Sequence, residues 1–162
     1  HPALVVDICR RWWPDADADG RRMIRHALRT LIKAGDLGAL DVLGFGPSSP
    51  VRVAGGRAEP ATVTIGESVR VSIDLENPGP DSGRALVDIR LHFVKANGST
   101  GPKVFKGAEV ELGPGDATTI SKKISLRQHS TRTHHPGRHA VDAIVNGTTV
   151  PIADFDLRPA DP

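Results

Sequence analysis

Ser68-Val-Arg-Val-Ser-Ile-Asp-Leu75 (SVRVSIDL) and, a few residues on, Arg84-Ala-Leu-Val-Asp-Ile-Arg-Leu-His-Phe93 (RALVDIRLHF) decide the fold class. In the first, Val69, Val71, Ile73 and Leu75 alternate with Ser68, Arg70, Ser72 and Asp74. In the second, Ala85, Val87, Ile89, Leu91 and Phe93 alternate with Leu86, Asp88, Arg90 and His92. A period of two lays one apolar row on one face of a pleated chain, so both stretches are half-buried strands. Working outward, further strands are expected near 51–54, 61–65, 104–112, 117–126, 139–146 and 149–157. Turn formers at Gly66-Glu67, Asn77 to Gly83, Gly113 to Gly115 and Asn146-Gly147 separate them. Seven or eight short strands with tight turns predict an antiparallel β-sandwich of immunoglobulin-like architecture over residues 51–159. The chain has one cysteine and no tyrosine, so it lacks the Cys-Trp-Cys core and the tyrosine corner of antibody domains. Only the architecture is implied.

The period is different upstream. Leu4, Val5, Ile8, Cys9 and Trp12 recur at the spacing of a helical stripe, and Pro2 suits a first turn. Trp12 is placed in that stripe and Trp13 at its margin, exposure for base stacking being the alternative. After a break from Pro14 to Gly20, a second helix carries Ile24, Ala27, Leu28, Leu31 and Ile32 on one face and ends at Gly35. A short third segment covers Asp36 to Leu43. Two to three helices cannot bury stripes this apolar alone, so residues 1–45 read as the terminal unit of a helical-repeat array. Residues 46–50, within the turn-forming run Gly44-Phe-Gly-Pro-Ser-Ser-Pro50, read as a linker. The expected class is therefore mostly β, with the sandwich preceded by two to three helices.

Of 162 residues, 38% are apolar and 25% charged, a globular balance, and no run approaches the ~20 apolar residues of a membrane span. Cys9 cannot form an intrachain disulfide, which favours a reducing, cytoplasmic setting. Starting at His1 with no leader, the chain reads as an excised or processed piece. Net charge is +2 but unevenly spread. From Arg84 to His139 there are ten Lys/Arg against four Asp/Glu, and five of the seven histidines lie there too. Such a cationic face on an acidic remainder is the footprint of a polyanion binder; a solvated sheet face is the plainer reading.

Three segments are candidates for that partner. His92 to Lys106 (HFVKANGSTGPKVFK) mixes glycines, hydroxyls and lysines, but Pro102 separates Gly101 from Lys103 and a strand follows, so it is no nucleotide loop. It reads as a hairpin turning at Asn97-Gly98 over a base of Phe93 and Phe105, with Lys95, Asn97, Ser99, Thr100, Lys103 and Lys106 placed for phosphate contact. The acid-free connection Arg127 to His139 adds Arg132, His134, His135 and Arg138. Arg22, Arg25 and Arg29, beside His26 and Lys33, form a cationic helix face. Solvated loops and a merely soluble helix face are the bland counterparts. His129, His134, His135 and His139 have no neighbouring carboxylate or cysteine at metal-ligand spacing, and no catalytic constellation or cofactor motif is readable.

The stretch ICRRWWPDADADGRRMIRHALRTLIKAGDLGALDVLGF resembles the final helical repeat of the bacterial DNA alkylation repair proteins built from HEAT-like repeats. LHFVKANGSTGPKVFKGAEVELGPGD and STRTHHPGRHAVDAIVNG resemble the immunoglobulin-like domain appended to one subgroup of them. The resemblance implies the clamp portion of a DNA glycosylase, a hydrolase of N-glycosidic bonds. Such an enzyme excises N3- or N7-alkylated purines in base excision repair and grips the duplex nonspecifically by its backbone or minor groove. It also implies double-stranded DNA and upstream HEAT-like repeats as partners, a monomer, a nucleoid-associated cytoplasmic setting, no cofactor, and catalytic residues on repeats outside this chain. One rival is an extracellular adhesion or carbohydrate-binding module, to which VTIGESVRVSIDLENPG and the sequons at Asn97 and Asn146 would suit. Another is a purely structural capping domain.

Overall fold

A computed structural model of the chain describes residues 1–129 and 133–160. Arg132 lies outside the described residues. Three helices come first. α1 (Pro2–Trp12) starts on its proline. α2 (Ala18–Lys33) is capped by Asp17, whose carboxylate accepts the Gly20 N–H at 2.8 Å. Gly35, at φ 75°, then lets the chain fold back so that the Gly35 and Asp36 amides reach the Ile32 and Leu31 carbonyls, both at 3.0 Å. Asp36 in turn caps α3 (Leu37–Val42) through the Ala39 N–H, and Gly44 closes that helix in the same left-handed manner.

Val6, Cys9, Ile24, Leu28, Leu40 and Phe45 form the helical core. The tryptophans exchange the roles expected of them. The inward face of α1 runs Val6, Cys9, Trp13, at helical spacings of three and four, so Trp13 packs on the core while Trp12 is 58% exposed beside Leu4 and Val5.

Eight strands follow: β1 (Arg52–Glu59), β2 (Thr62–Thr64), β3 (Ser68–Glu76), β4 (Gly83–Val94), β5 (Thr100–Leu112), β6 (Ala117–Ser125), β7 (Gly137–Val145) and β8 (Thr148–Arg158). They build a three-stranded sheet, β1-β3-β6, and a five-stranded sheet, β2-β8-β7-β4-β5. One core lies between the sheets, with Val71, Ile73 and Leu75 from the first and Val87, Ile89, Leu91, Val141 and Phe155 from the second. The expectation of a wholly antiparallel sandwich needs correcting. β2 runs parallel to β8, so the larger sheet is mixed. The cause is a change of sheet: after pairing with β3, the chain crosses at Pro60 and runs on for three residues along the β8 edge. Among the described residues no helix is long and apolar enough to cross a membrane.

Helices and sandwich meet at the start of β4. Arg84 Nη1 donates to the Leu43 carbonyl at 2.8 Å, and its guanidinium lies 4.3 Å from the Phe45 ring centroid. The Arg84 carbonyl accepts from Ser49 Oγ (2.6 Å) and Asn146 Nδ2 (3.1 Å), while Asn146 Oδ1 accepts the Leu86 N–H at 2.8 Å. Asn146 is 5% exposed. Its side chain is therefore a buried connector, not an acceptor for a glycan. Leu86 adds its side chain to the helical core.

On the outer face of the larger sheet, Asp142 Oδ2 takes hydrogen bonds from Arg90 Nε (3.0 Å) and Nη2 (2.9 Å) and sits 2.7 Å from His92 Nε2. Burial alone would push this carboxyl up, but the hydrogen bonds from His92 and Arg90 more than offset it and hold the pKa below its ordinary value. The cluster staples β4 to β7 across the sheet.

Two outcomes follow from these contacts. Asp142→Ala should cost about 1–3 kcal/mol in urea unfolding at neutral pH, below the range for a fully buried pair because Arg90 stays partly solvated. Because the carboxyl is depressed in the fold, its contribution is full above the unfolded value of about 4 and fades as pH falls through the folded one, so the difference from the native chain should shrink in acid. Arg84→Ala should speed amide exchange in α3 and residues 44–50 while leaving β3 and β6 protected, with a loss of about 1–2 kcal/mol. Uniform loss of protection would contradict a local joint.

Candidate nucleic-acid interface

β4 and β5 pair as far as Val94 opposite Thr100, which leaves Lys95–Ser99 as a tight turn. The Gly98 N–H reaches the Lys95 carbonyl at 2.9 Å and the Lys95 N–H reaches the Ser99 carbonyl at 2.8 Å, with Gly98 left-handed at φ 79°. Asn97 Oδ1 accepts both the Ser99 amide (3.1 Å) and the Ser99 hydroxyl (2.7 Å). Asn97 and Ser99 thus shape the turn that carries them. Residues 95–100 are all exposed.

The second expected segment folds back against the base of this hairpin. The Gln128 side chain clasps the His134 backbone, accepting its N–H at 2.7 Å and donating to its carbonyl at 3.1 Å. The His134 ring, 3% exposed, packs 5.3 Å from Phe93, centroid to centroid. Phe93 also meets Phe105 at 6.4 Å and the buried His139 ring at 5.8 Å; His139 stacks on Phe155 at 5.2 Å. Above this aromatic layer opens a cleft of about 410 Å³, lined among others by Phe93, Lys95, Gly101, Lys103, Thr133 and His135. Among the described residues no acidic side chain lines it. Lys103 Nζ lies 4.9 Å from the Phe105 ring centroid, so its charge is held at the cleft rather than swung into solvent.

The fold therefore brings Lys95, Lys103 and His135 together and separates the other candidates. His134 is buried, its ring packed on Phe93 beneath the cleft. Lys106 faces Asp88 (3.9 Å) on the outer face of β5. Arg138 pairs with Asp154 at 2.6 Å, and that carboxylate holds its pKa above the ordinary arginine value. Thr100 opens β5 at the exposed tip. On α2, Arg22 pairs with Asp19 (3.2 Å), Arg25 lies 5.8 Å from the Trp13 ring centroid and Arg29 is exposed. That helix meets the larger sheet by its end, Ile32 to Gly35, near Leu86, Asp88 and Val104, and shares no lining residue with the hairpin cleft.

Reading by residue type overlooked Gln128 and His139, which organise the cleft without facing it. For His139 a signal existed. It precedes Val141, Ala143 and Val145 in the inward parity of β7, so its ring had to enter the core.

Comparison with known proteins places this architecture. The model of the family described as "Uncharacterised protein YhaZ, C-terminal Ig-like domain" matches residues 52–159. The Bacillus subtilis (strain 168) protein YhaZ is 29% identical over 160 residues, covering 97% of this chain and 43% of that protein. The structure of Pseudomonas fluorescens alkylpurine DNA glycosylase AlkC, bound to DNA containing an abasic site analog, superimposes with a TM-score of 0.79 at 35% identity, over 98% of this chain and 44% of that one. The chain thus spans less than half the length of both, and the likeness to the glycosylase takes in the helices as well as the sandwich. A Listeria innocua β-glucosidase shares 17% identity over 72% of this chain and 17% of its own, with a TM-score of 0.56, a likeness of fold alone. The match that runs from β1 through β8 covers well over half of the chain, which therefore belongs to the YhaZ C-terminal Ig-like domain family.

Proposed function

We propose that this chain is the duplex-gripping part of an alkylpurine DNA glycosylase, binding the DNA backbone or minor groove without sequence preference through the cleft of Lys95, Lys103 and His135. The observation that carries the reading is that acid-free cationic cleft at an exposed hairpin tip, in a chain similar over 98% of its length to a DNA-bound glycosylase. Phosphate contact needs only positioned donors and positive charge, and no cofactor. Thr100, Asn97 and Ser99 extend the contact at the tip. Arg22, Arg25 and Arg29 form a second, separate patch; Lys106, Arg138 and Arg132 are secondary contributors.

In this reading residues 1–45 are a terminal HEAT-like repeat, 46–50 a linker and 51–159 the clamp. Leu4, Val5 and Trp12, exposed on α1, face the preceding repeats of a longer monomeric protein at work on chromosomal DNA in the cytoplasm. Catalysis belongs to those repeats. An N3- or N7-alkylated purine is already a cationic leaving group, so a carboxylate near the sugar suffices to stabilise the charge that develops there.

Fluorescence anisotropy with a short unmodified duplex tests the clamp. Affinity should fall steeply with salt, and Lys95→Gln or Lys103→Gln should each lower the log–log salt slope by about 1. Lys106→Gln and Arg138→Gln should lower it less, because a carboxylate already sits beside each charge. Binding that ignores salt, or an unchanged slope in the Lys95 and Lys103 variants, would overturn the reading.

A further inference from the structure

His139 touches neither solvent nor the proposed DNA, yet it joins the two segments that line the cleft. Its ring is fully buried, between Phe155 and the edge of Phe93. Nε2 lies 3.2 Å from the His135 carbonyl, which can only accept, so Nε2 carries a proton. Nδ1 lies 3.3 Å from both the Val94 amide, which can only donate, and the His92 carbonyl, which can only accept; burial disfavours a charged ring, and in the neutral one Nδ1 accepts from Val94. This is the neutral imidazole. Val94 is the last residue of β4 before the turn, and His135 lines the cleft opposite Lys95. A proton on Nδ1 would exchange partners, donating to His92 and turning away from the Val94 N–H.

We infer that His139 is a positioning residue for the DNA-contacting cleft: its neutral form ties Val94 and His135 into one geometry, and protonation releases Val94, loosens the hairpin tip and weakens duplex binding. The inference rests on the DNA reading given above. The groups around His139 favour such a switch. From β4 it meets Phe93 and the His92 and Val94 backbone. The His92 side chain is turned to Asp142 on the opposite face. From the preceding segment come the buried His134 and the cleft residue His135, and from β8 comes Phe155. Lys95 and Lys103 stand above Phe93. Among the described residues no carboxylate is one of these neighbours, so an added proton gains no counter-charge there. Burial accordingly lowers the His139 pKa below its ordinary 6.5, and the backbone hydrogen bonds offset this only in part. The unfolded chain takes up this proton first, so the stability His139 contributes is full above about 6.5 and declines as pH falls below it.

The test compares the chain with His139→Gln, whose amide can accept and donate but does not titrate. Duplex affinity is measured by anisotropy at fixed ionic strength from about pH 8 to about pH 5. Every other histidine is common to both proteins, so the ratio of affinities isolates His139. Whatever the offset at high pH, native affinity relative to the variant should drop by about tenfold across the range. A constant ratio overturns the positioning role and leaves the DNA reading standing. Absence of duplex binding at every pH in both proteins overturns the DNA reading and the inference with it. A measurement on the native chain alone guards against a variant that does not fold. Amide protection of Val94 and residues 95–99, relative to β3, should fall as pH drops; protection that stays constant overturns the coupling.

Discussion

β4 is a strand of 12 residues with both faces occupied, and nearly every other arrangement in the molecule hangs from it. Its inward row, Ala85, Val87, Ile89 and Leu91, seals the sandwich core with exposures of 0–1%. Its outward row has two separate tasks: Leu86 enters the helical core, and Arg90 and His92 bind Asp142 on β7. At one end Arg84 holds the Leu43 carbonyl, and at the other Val94 meets His139 and launches the hairpin. A slip of one residue would send each of these groups to the wrong face, so the joint with the helices and the geometry of the cleft are set by a single register.

The same strand explains how the cationic excess of the middle of the chain is distributed. Arg84 and Arg90 are committed to a carbonyl, a ring and a carboxylate within the fold; Lys106 and Arg138 each face an aspartate across the outer sheet surface. Lys95, Lys103 and His135 gather on one side of the hairpin, over a layer of aromatic rings. The charge count of the sequence overstates the binding surface, because many of those charges hold the sheet together.

Alternation of side chains made the strands legible, since a period of two is written in the residues themselves. The left-handed end at Gly35 was equally visible as a glycine after an apolar helical stripe. Pairing was not. That β2 lies parallel to β8, that Asp142 sits opposite Arg90, or that Asn146 reaches back to Leu86 depends on which strands meet and in what register, and those separations run from 52 to 94 residues of chain. The exchange of Trp12 and Trp13 has a different cause. α1 carries apolar residues on more than one face, so periodicity alone offered two stripes, and contact with α2 and α3 selected Val6, Cys9 and Trp13. Likewise, a histidine in a polar loop reads as a surface cation until the Gln128 clasp turns His134 under the cleft.

In the proposed grip the hairpin end of the sandwich is the principal contact with the duplex. Backbone amide shifts recorded on the full chain as a short unmodified DNA duplex is titrated in at low salt would test it most directly. The largest perturbations are expected at residues 94–103 and 133–135, with little change along β1, β3 and β6. Perturbations centred on the three-stranded sheet, with the hairpin tip unmoved, would contradict it.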